Sequence, residues 1–575
     1  MLHRALLIAS IIAGLAACGT GQQEPATPSD SVESTESAGT EKVSQIDTEH
    51  LSEIVKVLAS DEFEGRAPGT PGGKKTVEYL IEAFSKLGLE PGARDGSWVQ
   101  NVPLIHTQVQ APAAIEFTVG SEVQTLQQQT DIEVSTIRPV ESMAIDAPVV
   151  FVGFGAHAPE RDWDDYGDID LEGKVALFLV NDPDFAAAPD EEAAGRFGNR
   201  RMTYYGRWAY KFEEAARRGA TAALVIHETE AAGYGWNVAS SSPGENYAVV
   251  RLESDEEPVT LQGWLHGDAA AALLATAGYD LDELRVRARR TDFEAFELDN
   301  VTFGADLTVQ VESIASSNVL AKLPGTSRSD EVLMVSAHWD AYGIGEPDTQ
   351  GRTVRPGAND DALGMAGVLE IARVLSAGPP LERSVVFAAW TAEESGLLGS
   401  QAYVVDPVYP LEKTVANLTL DILQTAGPAR DVILVGEGQS DLEDDLASAA
   451  ARQGRVVSPE NLPENGLFYR ADHFSLARQG VPVLLIMGIA GGADLVEGGR
   501  EAGDQWIADY IGNCYHQTCD AWSPDWDLRG AADDIALFRI ILEDLGNSKR
   551  WPKWKSGSEF KAIREQSAES RSGPQ

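Results

Sequence analysis

Apolar residues recur along this chain with two different periods. Leu51, Ile54, Val55 and Leu58, and then Val77, Leu80, Ile81, Phe84 and Leu87, fall three and four residues apart, the spacing of one helical face, and Gly88 ends the second run. Between them lies Gly65-Arg66-Ala67-Pro68-Gly69-Thr70-Pro71-Gly72-Gly73, a rigid, turn-rich connection. Short unbroken apolar runs follow at Val149-Val150-Phe151-Val152, at 175–180 and at 222–226, and read as buried strands, with a helix over 211–218 stopped by Gly219. After about Val309, strands at 331–336, 384–391, 415–420 and 481–487 alternate with helices at 362–375, 397–404 and 532–545. That alternation predicts an α/β fold, with a mixed, mostly parallel central sheet flanked by helices.

The ends of the chain pattern differently. Ala5 to Leu15 is an apolar run too short to span a bilayer and reads as a signal peptide. It closes on Leu15-Ala16-Ala17-Cys18, which resembles a bacterial lipobox with Cys18 as the lipidated residue. By that resemblance, Gly19 favours the outer membrane, so the membrane is reached only through the N-terminal lipid. Residues 18–45 hold few large apolar side chains and are expected to form a flexible tether. A main body is expected over 46–140 and 301–546, an α+β insert over 141–300, and a loosely packed polar tail over 547–575. A length of 575 residues with 43% hydrophobic content suits such a multidomain plan. The net charge of −45 repels phosphate backbones and argues against nucleic acid as a partner.

Candidate chemistry gathers at the predicted strand ends. His338 and Asp340 follow the strand at 331–336, and being two residues apart in extended chain they point the same way. Glu393-Glu394 follows the next strand, and Asp421 closes a third. Asp360 sits in a Gly-bounded loop before a helix. These groups therefore share the carboxyl edge of the sheet, where open α/β sheets place their sites. With His516 they supply two histidines and several carboxylates suited to zinc or a similar ion. Singly each is weak: Asp360 is equally read as a helix N-cap, Glu393-Glu394 as a solvated pair, and His516 as a core histidine. Neither H-E-x-x-H nor G-x-S-x-G occurs. The Gly153-Phe154-Gly155 turn is followed by Pro159 and charges where a phosphate-facing helix would start, which removes a nucleotide site.

In order, His338-x-Asp340, Gly357-Ala358-Asn359-Asp360-Asp361-x-x-Gly364, Glu393-Glu394-x-Gly396, Asp421 and Tyr515-His516 resemble the zinc aminopeptidases of metallopeptidase family twenty-eight. Asp61, Gly65-Arg66 and Pro68-Gly69-Thr70 resemble that family's opening segment. Trp163, Asp165-Tyr166 and Gly173-Lys174-Val175 resemble a protease-associated domain. The resemblance implies two zinc ions per chain bridged by Asp360. His338 and Asp421 would complete one site, and Glu394 and His516 the other. It moves Asp340 from ligand to orienter of His338. It also implies that a water between ions roughly 3.5–4 Å apart attacks the peptide, with Glu393 as general base. Tyr515 is the candidate oxyanion donor. A Cys514–Cys519 disulfide is implied around His516, and Asp472-His473 is read as structural.

The expected activity is removal of N-terminal residues from peptides. Carboxypeptidase action stays open, since Arg352, Arg355 and Arg470 lie in loops able to receive a carboxylate. Glutaminyl cyclase, with one zinc, is disfavoured by the insert and the cysteine pair. A metal-free binding relative is disfavoured because no ligand is missing.

Overall fold

The computed structural model describes residues 45–111, 113–241, 244–251 and 257–571. The expected signal segment, Cys18 and all but the last residue of the tether lie outside them. Helices α1 (Thr48–Leu58) and α2 (Pro71–Lys86) come first. Asp47 caps α1 through the amides of Glu49 and His50, and Thr70 caps α2 with Pro71 in the first turn. Leu51, Ile54, Val55, Leu58, Leu80 and Phe84 are buried in one core, as their spacing predicts.

The strands that carry the fold are β1 (Val99–Val109), β2 (Ile132–Ser135), β3 (Ser142–Gly153), β4 (Val175–Leu179), β5 (Ala222–His227), β6 (Leu261–His266), β7 (Phe296–Leu323), β8 (Arg328–His338), β9 (Arg383–Trp390), β10 (Thr414–Asp421) and β11 (Val483–Met487). They line up as β11-β10-β8-β9-β7-β3-β4-β5-β6-β2. β11, β10, β8 and β9 are mutually parallel, and so are β3, β4, β5 and β6. β7 joins the two groups: it runs antiparallel to β9 near its end and to β3 earlier, with β1 paired along its middle. Its 28 residues make one strand serve both halves.

Every residue of β9, β10 and β11 is buried, as expected for parallel strands covered on both faces. Alternation then sorts side chains between two cores. Leu333, Val335, Ala337, Val385, Phe387 and Ala389 face one core, and Val332, Met334, Val386, Ala388 and Trp390 the other. Helices α4 (Leu363–Ala377) and α5 (Arg529–Gly546) fill the first core, while α3 (Trp208–Arg217) belongs to the β3–β6 half.

Two expectations need adjusting. The core around β4 and β5 draws on Val109 to Val134 and on Val301 to Val309, beyond 141–300. β7 alternates buried and exposed residues with many polar side chains, and that pattern hides a half-buried strand. The described part of the tail is also not loose. Trp554 is 4% exposed and donates to the Gly480 carbonyl at 2.8 Å, Phe560 packs against its ring, and Arg564 donates to the Thr414 carbonyl. A few aromatic anchors outweigh the segment's polar composition.

Candidate metal centre

Parallel register brings three strand ends together. His338 is the last residue of β8 and pairs with Trp390, the last of β9, so Glu393 and Glu394 begin just beyond it; Asp421 ends β10. Asp360 arrives from the loop before α4, where Asn359, Asp360 and Asp361 are all buried. That loop is fixed from several sides. Asp520 accepts from the amides of Asn359 (3.0 Å) and Asp360 (3.1 Å). Asn359 Oδ1 accepts from the Leu423 amide at 3.1 Å, and Asp361 accepts from Gly364 at 3.0 Å and from His338 at 3.3 Å. It is thus Asp361, not Asp360, that takes a first-turn amide of α4. The fully buried Arg66 donates to the carbonyls of Leu58, Trp339, Pro356 and Gly357, tying the first helix to both ligand-bearing loops.

The side chains then converge. His338 Nε2 lies 3.1 Å from Asp360 Oδ1, and His516 Nε2 lies 3.3 Å from Asp360 Oδ2 and 3.4 Å from Glu394 Oε2. One ligand atom from each of His338, Asp360 and Glu394 lies within 4.8 Å of the other two. Glu393 Oε2 is 3.9 Å from His338 Nε2. On the far side of the imidazole, His338 Nδ1 faces the Asp340 carbonyl at 3.2 Å and its carboxylate at 3.7 Å. Asp340 also accepts from the Glu393 amide at 3.1 Å, which couples the orienter to the candidate base.

Electrostatics show what the cluster favours. Burial pushes Glu393 and Glu394 well above the usual carboxylate range, helped by Asp421 and Asp472 for the first and by Asp360 for the second. Burial also pushes Asp421 up to about 7. Asp360 goes the other way: burial opposes its charge, but the bonds from His338 and His516 hold it low. Burial pulls His338 down, yet Glu393 and its bonds to Asp340 and Asp360 outweigh this and hold it high. Buried acids that repel one another around two imidazoles form a cage that cations relieve. The spacing fits as well. Ligand atoms about 2.0–2.1 Å from a tetrahedral zinc sit about 3.3 Å apart, and the His338–Asp360, His516–Asp360 and His516–Glu394 separations cluster at that value. The donor set therefore fits zinc, and Asp360 offers a separate oxygen to each histidine.

The expected Cys514–Cys519 disulfide is formed. The Tyr515 ring lies against that of His516, tilted by 35° with ring centres 3.6 Å apart, and burial raises its hydroxyl well above the ordinary phenol range. His473 is buried against Phe468, and burial pushes it down to about 3, so it packs as a neutral ring. Asp472 is buried and, like Asp421, pushed up to about 7. Sequence reasoning missed Tyr342, whose hydroxyl meets His516 Nδ1 at 2.9 Å, and Asp520, 160 residues from the loop it fixes. Only the proximity of Asp520 to His516 in the chain hinted at its place.

Residues 318–538 match the model of peptidase family M28. Probable lipoprotein aminopeptidase LpqL of Mycobacterium tuberculosis is 28% identical over 211 residues, covering 34% of this chain and 38% of that protein. Leupeptin-inactivating enzyme 1 of Streptomyces exfoliatus is 28% identical over 236 residues, 40% and 49% respectively. The chain thus spans between about a third and a half of the length of these relatives. Among solved structures, an aminopeptidase from Aneurinibacillus sp. strain AM-1 is 20% identical with a TM-score of 0.47, covering 88% of this chain and 95% of that one.

Proposed function

Taking residues 318–538 as a peptidase family M28 domain, we propose that this chain is a zinc-dependent exopeptidase, an aminopeptidase, holding two zinc ions per chain. The observation that carries the reading is Asp360, whose two oxygens face two different histidines at 3.1 and 3.3 Å. His338, Asp360 and Asp421 would hold one ion, and Asp360, Glu394 and His516 the other. Zinc bound there would polarise the scissile carbonyl and acidify a bound water.

The protein's own groups do the rest. Glu393 takes the proton of the attacking water on a carboxylate oxygen and returns it to the leaving nitrogen. Asp340 keeps the imidazole of His338 turned so that Nε2 faces Asp360. Tyr342 does the same for His516 from its Nδ1 side. The Tyr515 hydroxyl, protonated well beyond neutral pH, donates to the oxyanion that develops on the carbonyl.

N-terminal rather than C-terminal specificity is supported by the names of the relatives, LpqL among them. The same reading makes residues 141–300 a protease-associated insert and places the protein outside the cytoplasm on a lipid at Cys18. Replacing Glu393 with Gln preserves shape but removes the base. The variant should retain its zinc and lose about 10²–10⁴-fold in kcat on aminoacyl anilides; full activity in the zinc-loaded variant would remove Glu393 from the role.

A further inference from the structure

The two histidines of the centre are held very differently. His338 ends a core strand with 2% of its side chain exposed, and the fully buried Asp340 meets it on the Nδ1 side. The His516 side chain is 28% exposed and sits in the short loop closed by the Cys514–Cys519 disulfide. Its backbone is left-handed, with φ at +62°, a conformation that a residue with a Cβ keeps only where its surroundings impose it. The group on its Nδ1 is Tyr342, 2.9 Å away and itself 38% exposed. A surface side chain can orient its neighbour only if something fixes it in turn.

Tyr342 opens a hairpin of two short antiparallel strands, Gly343–Ile344 and Val354–Arg355. The base of the hairpin rests on the segment after α1. A Cβ on Gly65 would lie 2.5 Å from the Arg355 carbonyl oxygen and 2.7 Å from that of Gly343, so the backbones touch there. The tip is organised by Asp348. One of its carboxylate oxygens accepts from the amides of Gln350 (2.8 Å) and Arg352 (2.9 Å), which shapes the turn; the other accepts from the Arg352 guanidinium at 2.7 Å. That second oxygen also accepts from the Thr518 hydroxyl at 2.5 Å. Thr518 is buried and lies two residues from His516. Hairpin and ligand loop are therefore joined twice, at the tip through Asp348 and Thr518 and at the base through Tyr342 and His516.

On the proposed reading of the centre as a zinc site, we infer that Asp348 and Thr518 are positioning residues for the ion that His516 helps to hold: their hydrogen bond latches the hairpin to the disulfide loop and so keeps the Tyr342 hydroxyl on His516 Nδ1. Holding zinc through Nε2 leaves the ring proton on Nδ1, which donates it to the Tyr342 oxygen. The disulfide limits the span of the loop but leaves the imidazole free to turn about its side-chain torsions, and the Tyr342 contact removes that freedom. Freedom removed before the ion arrives is not lost when it binds, so the latch raises zinc affinity by pre-organisation.

The test is the zinc affinity of the metal-depleted full chain, measured by competition with a chromophoric chelator; the binding step to follow is the one that His516→Ala removes. Thr518→Val keeps the shape and deletes the hydroxyl. It should weaken that step about 10-fold and leave the other within about twofold, and Thr518→Ser should restore it. Tyr342→Phe should weaken the same step by a similar factor. The double variant should be no weaker than the weaker single one, because both changes cut the same support. Asp348→Ala, which unties turn and latch together, should weaken the step at least as much as Thr518→Val. Losses that multiply in the double variant, equal losses at both steps, or an unchanged affinity in Thr518→Val would each overturn the latch. Activity on aminoacyl anilides separates this from the exopeptidase reading. Zinc bound with the expected coupling but without cleavage would sink the exopeptidase and spare the latch; cleavage with both zinc steps indifferent to Thr518→Val would do the reverse. A chain that binds no zinc through His516 would overturn both.

Discussion

At the scale of single residues, Arg66 shows how much of this centre depends on a side chain that never touches it. It is fully buried, and its donors go to four backbone carbonyls rather than to a carboxylate. Asp520, Asp340, Asp361 and Asp360 stabilise its charge from a distance, against the pull of burial. Arg66→Ala should therefore cost about 3–5 kcal/mol in chemical denaturation, because it strands several buried acceptors and leaves the acids uncompensated. Arg66→Lys keeps the charge but not the fork and should fall between. The placing of His338, Glu393, Glu394 and Asp421 at or just beyond predicted strand ends, and of Asp360 in a loop before a helix, was readable from the chain alone. Arg66 was readable only as part of a turn-rich segment, since nothing local says that Trp339 and Gly357 supply its acceptors. Tyr342 and Asp520 were not readable, because each acts across a long sequence separation on a group whose position is set by the sheet.

Among the elements, α4 carries two glycines whose neighbours differ in kind. A Cβ on Gly364 would lie 2.2 Å from Asp361 Oδ1, whereas one on Gly367 would lie 2.7 Å from the Leu420 side chain and 3.0 Å from Ile535. Asp361 is buried and ties the loop to β8, so it cannot yield without moving Asp360. Gly364→Ala should thus weaken zinc binding at least ~10-fold, the scale of a disturbed supporting shell. Gly367→Ala should leave zinc affinity unchanged and cost about 1–2 kcal/mol of stability at most, since apolar side chains repack and alanine favours helix. Equal zinc affinity in the two variants would refute the distinction. The strands and helices after about Val309 were legible because unbroken apolar runs and three-to-four spacing are strong local signals. β1 and β7 were not, since a half-buried strand rich in Thr, Gln and Glu resembles loop.

For the molecule as a whole, burial of acids makes stability depend on pH even far from the centre. Glu133 is 6% exposed, accepts from the Gly244 amide and Gln128, leaves Oε2 without a partner among the described residues, and is pushed by burial to about 7. Between its ordinary value and 7 the folded chain holds a proton that the unfolded chain has released. Stability is therefore fully present below the ordinary range and is lost as pH rises through 7. Glu133→Gln should remove about 2 kcal/mol of that decline between pH 5 and pH 8, read from denaturation midpoints at the two pH values; an unchanged slope would show that Glu133 does not carry it. Across the expected boundaries at 141 and 300, strand β7 pairs with both parallel groups, and the core around β4 and β5 draws on residues to either side. The most direct test of the central claim is zinc titration of the metal-depleted chain with activity followed at each step. Two ions bridged by Asp360 predict full activity at two equivalents per chain; saturation at one, or activity without zinc, would contradict the account.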